Sequence, residues 1–401
     1  MNTHVGFLAK YPARLALASY LSVIAVGTLL LWLPFSRQSH RDPITLIEAA
    51  FTSTSATCVT GLTVRSTASD FSRFGQSVIL FLIQLGGIGI IAVTTFIALT
   101  FGSSESLRKT VLATEAIGVA SPYSVRRLLT LIMLTVLSVE AVGFSLLMAN
   151  NWASTAPPIS SWEAVFLTTS AFCNAGFALR EDSIVQFRTV PLFNGTMIIL
   201  FVLGGLGFPV LLDVARNVIR NPRQCWNSLQ LHSKLMLIGT AVLLVIGTTV
   251  VLALEWNHAL RDIPVGSKLT AALLHSSSTR TAGFHSTEVS SFGPPTQFAT
   301  MLLMLIGAGP CSTGGGMKVT SVLVLVMFAW SRFRGSSTAS LFRRRISQMS
   351  LQRAATTVLL FGTVAALGLL FLLLSENLSA AGASEATFLD ASFEVSSALG
   401  T

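Results

Sequence analysis

Residues 57–62 read TCVTGL, a short and comparatively polar stretch with a glycine at Gly61, set between two long apolar runs. The stretch recurs. AFCNAGFAL (171–179) and STRTAGFHS (278–286) bring Gly176 and Gly283 to the same place, 115 and 107 residues further along. Twelve residues before the three glycines stand Ala49, Ala164 and Ala271; ten before stand Phe51, Phe166 and Leu273. Six before stand Ser55, Ser170 and Ser277, and one after stand Leu62, Phe177 and Phe284. A fourth copy, LDASFEVSSALGT (389–401), keeps Ala391, Phe393 and Ser397 in register and stops two residues short of the matching glycine. Agreement of several columns in four copies marks an internal repeat.

A second signature follows the first. LGGIG (85–89), LGGLG (203–207) and IGAGP (306–310) occupy the apolar runs after copies one, two and three. The unit reads as spanning run, short amphipathic segment, glycine loop, spanning run. Its copies divide the chain into 1–104, 105–222, 223–340 and an incomplete 341–401.

Composition sets the solvent. The 401 residues are 52% hydrophobic and 11% charged, with mean hydropathy +0.70, against about 25% charged in a soluble domain. Apolar runs at 14–34, 76–101, 128–149, 192–215, 235–254, 297–330 and 354–374 approach or exceed the ~20 residues that cross a bilayer. The expectation is an all-α membrane protein. The first run is of spanning length and no small-residue cleavage site follows it, so it is predicted to be the first helix and not a cleaved leader.

The net charge of +9 is unevenly placed. With the N-terminus in the cytoplasm, the inner segments hold 16 Lys and Arg and 3 acids, the outer ones 9 and 13. That is the positive-inside pattern, so the basic balance marks topology and argues against a nucleic-acid partner. The cluster Arg343, Arg344, Arg345 could also touch anionic lipid of the bilayer or a cytosolic protein. Cys58, Cys173, Cys225 and Cys311 show neither disulfide nor zinc spacing, and no nucleophile, base or metal cluster supports an enzyme.

The short segment ahead of Gly61 fixes what the unit can do. Asp42 and Pro43 signal a helix start, and about 13 residues of helix cannot span. The chain must enter and return, and irregular backbone at that depth has to line water or be buried in protein. Four such loops around one axis would offer main-chain oxygens to a dehydrated cation. The predicted ion-binding carbonyls are those of Val59, Thr60 and Gly61; Asn174, Ala175 and Gly176; Thr281, Ala282 and Gly283; and Gly400 and Thr401. Side chains differ between copies, as suits a site built from backbone. The serines Ser55, Ser170, Ser277 and Ser397 either brace the loops through hydroxyl bonds or serve as small residues for close packing. Outer acids including Glu48, Asp70, Glu163, Glu181, Asp182 and Glu288 leave the entrance side net negative, which would concentrate cations.

Five glycines and a proline between Gly307 and Gly316 (with Gly309, Pro310, Gly314 and Gly315) break the run 297–330 at membrane depth. Cys311, Ser312 and Thr313 complete the loop. A movable plug and a static kink are the two readings. A phosphate loop is excluded because Met317 separates the glycines from Lys318. Lys318 either pairs with loop carbonyls or reaches toward the cytoplasm.

TSATCVTGL, SAFCNAGF, STRTAGFHS, FEVSSALGT and GAGPCSTGGGMKVT together resemble the Trk/Ktr/HKT superfamily of potassium transporters, over nearly the whole chain and closer to the Ktr-type membrane subunit than to the longer Trk type. The resemblance implies four helix–pore-loop–helix units around a pseudo-fourfold pore and potassium uptake across a bacterial inner membrane. It implies a homodimer, no cofactor in this subunit, and a cytosolic ring of nucleotide-binding (RCK/KTN-type) subunits that opens the pore. It assigns residues 307–316 as an intramembrane gate followed by the basic Lys318. Sodium-selective plant relatives carry serine at the first filter glycine, and glycine at Gly61 favours potassium. The family adds a final helix after the fourth filter, which this chain lacks, so an incomplete ring is expected. The competing reading is a cation-coupled secondary transporter with broken helices; Glu140 and Asp213 are the acids near or inside apolar runs.

Overall fold

The computed structural model describes residues 12–89, 125–152, 157–335, 340–341, 344–345, 348–379 and 388–400. It divides into two compact units, Met1–Phe187 and Arg188–Thr401.

In the first unit, α1 (Pro12–Trp32) is followed by the short α2 (Leu46–Thr57) and by α3 (Arg73–Ile88); α4 (Val125–Ala149) precedes the short α5 (Ser161–Phe172). Each short helix starts on a side-chain cap. Thr45 Oγ1 accepts the Glu48 N–H while the Thr45 N–H donates to Glu48 Oε2 at 2.8 Å, a reciprocal capping box. Ser160 receives the Glu163 N–H. α2 lies on α1, where Ser53 Oγ donates to the Ile24 carbonyl at 2.8 Å. Trp162 on α5 donates to Gln76 on α3 at 2.9 Å, and the Gln76 amide donates on to the Thr67 and Phe71 carbonyls. Phe71, Phe166, Phe172, Phe177, Ile79 and Ile83 are buried around this junction.

The second unit contains α6 (Pro191–Leu206), α7 (Phe208–Arg220), α8 (Cys225–Ser228), α9 (Leu231–Glu255), α10 (Val265–Ser278), α11 (Pro294–Leu305), α12 (Val319–Phe333), α13 (Gln348–Ser379) and α14 (Phe388–Gly400). α9 packs on α10, α11 and α12, and α14 packs on α11 and α13. A two-residue antiparallel pair, β1 (Ser340–Leu341) with β2 (Arg344–Arg345), is an exception to an all-helical chain among the described residues.

Among the described residues, three helices are long and apolar enough to cross a membrane: Leu129–Trp152, Leu231–Glu255 and Gln348–Ser375. α13 leaves Leu359, Leu360 and Phe371 exposed, an apolar surface of the kind that hydrocarbon covers. Two expected spans are not continuous helices. The run 192–215 bends by 105° between α6 and α7. Gly207 sits there at φ +90°, and Pro209 in the next turn has no N–H to continue the ladder. The run 297–330 stops at Leu305 and resumes at Val319, a wider break than 307–316. Of the run 76–101, residues 90–101 lie outside the described residues, as do Thr401 and Arg343.

Candidate functional site

Three of the repeated loops share one backbone signature. The residue two before the glycine has positive φ, at Val59 (59°), Asn174 (56°) and Thr281 (85°), and so does the glycine itself, at Gly61 (81°), Gly176 (71°) and Gly283 (74°). Left-handed backbone is rare for any residue with a Cβ and a genuine outlier for β-branched Val59 and Thr281. Such conformations cost about 1–3 kcal/mol each and gather at functional sites. Val59, Asn174, Ala175, Thr281 and Ala282 are all buried. The alanines twelve residues before the glycine register, Ala49, Ala164, Ala271 and Ala391, are buried in all four copies.

Copies one and two match in their main-chain bonds. The N–H of Thr60 donates to the Ser55 carbonyl (2.7 Å) and that of Ala175 to Ser170 (2.8 Å), both five residues back. In the third copy the helix ends one residue earlier relative to its glycine, at Ser278, and the Ala282 N–H donates to Ser278, four residues back, at 2.9 Å. The hydroxyls follow this shift. Ser170 Oγ donates to the Phe177 carbonyl at 2.8 Å, whereas in copy three Ser278, not Ser277, donates to Phe284. Ser277 turns back to Leu274 in its own helix, and Ser55 Oγ has no hydrogen-bond partner among the described residues. The brace expected of the aligned serines is therefore met at Ser170, missed at Ser55 and displaced by one residue in copy three.

The first unit brings loops one and two into backbone contact. A Cβ on Gly61 would stand 2.6 Å from the Ala175 carbonyl oxygen and 3.1 Å from Gly176 Cα. α3 supports both through its glycine pair: a Cβ on Gly86 would meet the Thr57 oxygen, and one on Gly87 the Cys173 sulfur. The charges of these loops are arranged differently from the sequence reading. Glu48 receives Arg65 at 2.8 and 3.3 Å, and Glu163 receives Arg180. Each acid lies thirteen residues before its loop glycine and each arginine four after. Asp70 faces Arg41 at 3.6 Å. Three of the acids assigned to a negative entrance are thus paired, and two of them staple helix start to loop exit. The matching columns were visible in the sequence but were read as loop charge. Copy three has Thr270 and Thr287 there.

In the second unit, residues 306–318 fold into a hydrogen-bonded loop. The Gly307 N–H donates to Met317 (3.0 Å), Met317 to Leu305 (3.0 Å) and Ala308 to Gly315 (3.2 Å). Ser312 Oγ donates to the Gly309 carbonyl at 2.6 Å, and Lys318 Nζ donates to Gly314 at 2.9 Å, so Lys318 pairs with the loop. The α6–α7 bend holds the other side: Gly309 N–H to Gly205 (2.9 Å), Thr313 N–H to Gly204 (3.3 Å) and Phe208 N–H to Cys311 (3.1 Å). The loop abuts copy three, where Gly314 lies against Thr281 Oγ1, and the end of copy four, where a Cβ on Gly316 would stand 3.2 Å from the Gly400 oxygen. Among the described residues, no three His, Cys, Asp or Glu side chains gather as a metal site.

The comparisons with known proteins agree with this architecture. A family model described as TrkH, cation transport protein, matches residues 13–401. The Ktr system potassium uptake protein B of Vibrio alginolyticus is 35% identical over 373 residues, covering 91% of this chain and 79% of that protein. Its Bacillus subtilis counterpart is 34% identical, with 97% and 84% covered. The potassium/sodium uptake protein NtpJ of Enterococcus hirae is 30% identical, also with 97% and 84% covered. The crystal structure of the potassium transporter TrkH from Vibrio parahaemolyticus has the same fold, with TM-score 0.66 at 20% identity over 93% of this chain and 74% of that one. These relatives are transport proteins and not enzymes. With its apolar helices and this match along nearly its whole length, the chain is membrane-embedded and belongs to the TrkH family of cation transport proteins.

Proposed function

We propose that the chain is the pore-forming subunit of a potassium uptake system. Its loops would share one axis, and potassium would bind the carbonyls of Val59–Gly61, Asn174–Gly176, Thr281–Gly283 and Gly400–Thr401. The observation that carries this reading is the paired positive φ at the same two positions of three loops. A positive-φ residue on either side of one without positive φ can turn successive carbonyls toward one side, and a row of such oxygens can replace a cation's hydration shell. The names of the relatives support potassium as the ion and uptake as the direction. The NtpJ name includes sodium, so selectivity is the property to measure.

The loop at 306–318 is the gate in this reading. It interrupts a span, sits against the third loop, and is held by two hydrogen bonds to α6 and one each to α7 and Lys318. The N-terminus lies in the cytoplasm of a bacterial cell, two copies pair in the membrane, and a cytosolic nucleotide-binding ring drives the gate. Those three statements rest on the family resemblance and on the charge asymmetry of the loops.

Gly61→Ser tests the filter. The new side chain meets the Ala175 oxygen at a backbone angle it rarely adopts, so the rubidium-over-sodium uptake ratio should fall by about tenfold, ~1.4 kcal/mol of preference. An unchanged ratio in a folded variant removes the filter assignment.

One observation favours coupled transport instead. Glu140, inside α4, accepts Gln84 Nε2 at 3.3 Å, and Gln84 Oε1 accepts Cys173 Sγ beside the second loop at 3.9 Å. Glu140 Oε1 is buried with no partner among the described residues, and an acid at membrane depth marks an ion or proton path by default. Glu140→Gln leaves uptake nearly intact in a simple pore and abolishes its dependence on a proton or sodium gradient in a coupled carrier.

A further inference from the structure

We propose that Arg280 is a second tether of the 306–318 loop, acting opposite Lys318 to hold it shut; the inference rests on the gate reading above. Arg280 stands between the end of α10 and Thr281, the first residue of the third loop. Its side chain is buried, with 7% exposure, and carries five N–H donors. Nη2 reaches the Gly307 carbonyl at 3.4 Å, longer than the ~3.0 Å usual for such a bond. Nε has no partner. Among the described residues the ion pairs are Arg41–Asp70, Arg65–Glu48, Arg180–Glu163 and His258–Glu255, so Arg280 faces no carboxylate.

A buried guanidinium without a counter-ion is expensive to keep. What it meets is the start of the loop, as Lys318 Nζ meets Gly314 near the end at 2.9 Å. Two fixed cations therefore occupy carbonyl oxygens at both ends of one segment. Those oxygens are the ligands a dehydrated potassium ion would use, and the two positive charges repel an ion arriving there. The loop is closed chemically as well as sterically. The long Arg280 bond makes this a light hold: most of its donors are unspent and free to take other carbonyls when the loop moves.

A tether and a prop for the third filter predict different results. The test is rubidium and sodium uptake by the protein in liposomes, together with the alkylation rate of Cys311 read by peptide mass. Arg280→Gln should raise basal uptake about tenfold, equivalent to ~1.4 kcal/mol, with the rubidium-to-sodium ratio unchanged and Cys311 alkylated faster. Arg280→Lys, which keeps the charge, should stay near the parent. If the Gln variant does not fold, Arg280→Met, which fills the site without a buried polar group, should show the same rise. An altered ion ratio at unchanged basal uptake would make Arg280 a filter prop and overturn the proposal, as would silence in both uptake and alkylation. Deleting Gly307–Gly316 separates the two layers. If deletion raises basal uptake while the Arg280 variants are silent, the tether alone falls; if deletion is silent too, the gate reading falls with it.

Discussion

The first two loops and the third have the same backbone twist but are fixed by opposite means. Loops one and two are stapled on the outside by Glu48–Arg65 and Glu163–Arg180 and supported from behind by the glycine pair of α3. Loop three has threonines in place of the staple, a helix that ends one residue earlier in register, and a neighbour that is itself a loop. Copy three, without the staple, puts Arg280 and Thr281 against residues 306–318. In the proposed reading, repetition would supply the ion ligands and departure from repetition the control.

The largest break in this comparison should come from Arg180→Ala. The pair is mostly buried, at 18% and 12% side-chain exposure, and removing one partner leaves Glu163 uncompensated, for a loss of about 3 kcal/mol in detergent unfolding. The same kind of change in copy three, Thr287→Ala, should be silent. Next comes the serine shift. Ser278→Ala strands the buried Phe284 carbonyl and should cost about 1–2 kcal/mol, while Ser277→Ala, which removes a bond inside its own helix, should cost ~0.5 kcal/mol or less. Equal effects would return the brace to the register that the sequence alignment implies. The smallest effect is Arg65→Ala, and it depends on pH. The Thr45 N–H above all, then Arg65, hold the Glu48 carboxyl below its ordinary value. A lowered folded value means that the stabilisation is complete above the unfolded value and fades as pH falls through the folded one. The stability difference between parent and variant should therefore be present at neutral pH and vanish in acid; a difference that grows in acid would contradict the pairing.

Much of this was legible in the residues. Aligning three glycines located the loops, and the same columns placed the strained positions Val59, Asn174 and Thr281, although side chains alone gave no hint of their strain. The glycine-rich break was readable because few other structures tolerate that composition at membrane depth, whereas the two readings of Lys318 are separated only by its bond to Gly314. The α6–α7 bend was not, since apolar periodicity continues across Gly207 and only the Gly-Phe-Pro order betrays it. The staples were missed for a different reason. An acid and an arginine seventeen residues apart carry no local signal, and only comparison between copies joins them. The one-residue shift to Ser278 was invisible because Ser276, Ser277 and Ser278 are chemically identical; which of them faces the loop is decided by where the helix ends.

The elbow at Gly207 has a mechanical consequence. α7 is a 13-residue arm, about 20 Å long, pivoting beside the carbonyls that receive Gly309 and Thr313 and beside the N–H that reaches Cys311. A rotation of about 10° there would carry the far end by about 3 Å, together with the start of α9 that Asp213 holds through Gln230 and Ser233, while the pivot would move by a fraction of that. If the 306–318 loop is a gate, any such rotation would reach it through main-chain bonds that no side-chain substitution can remove.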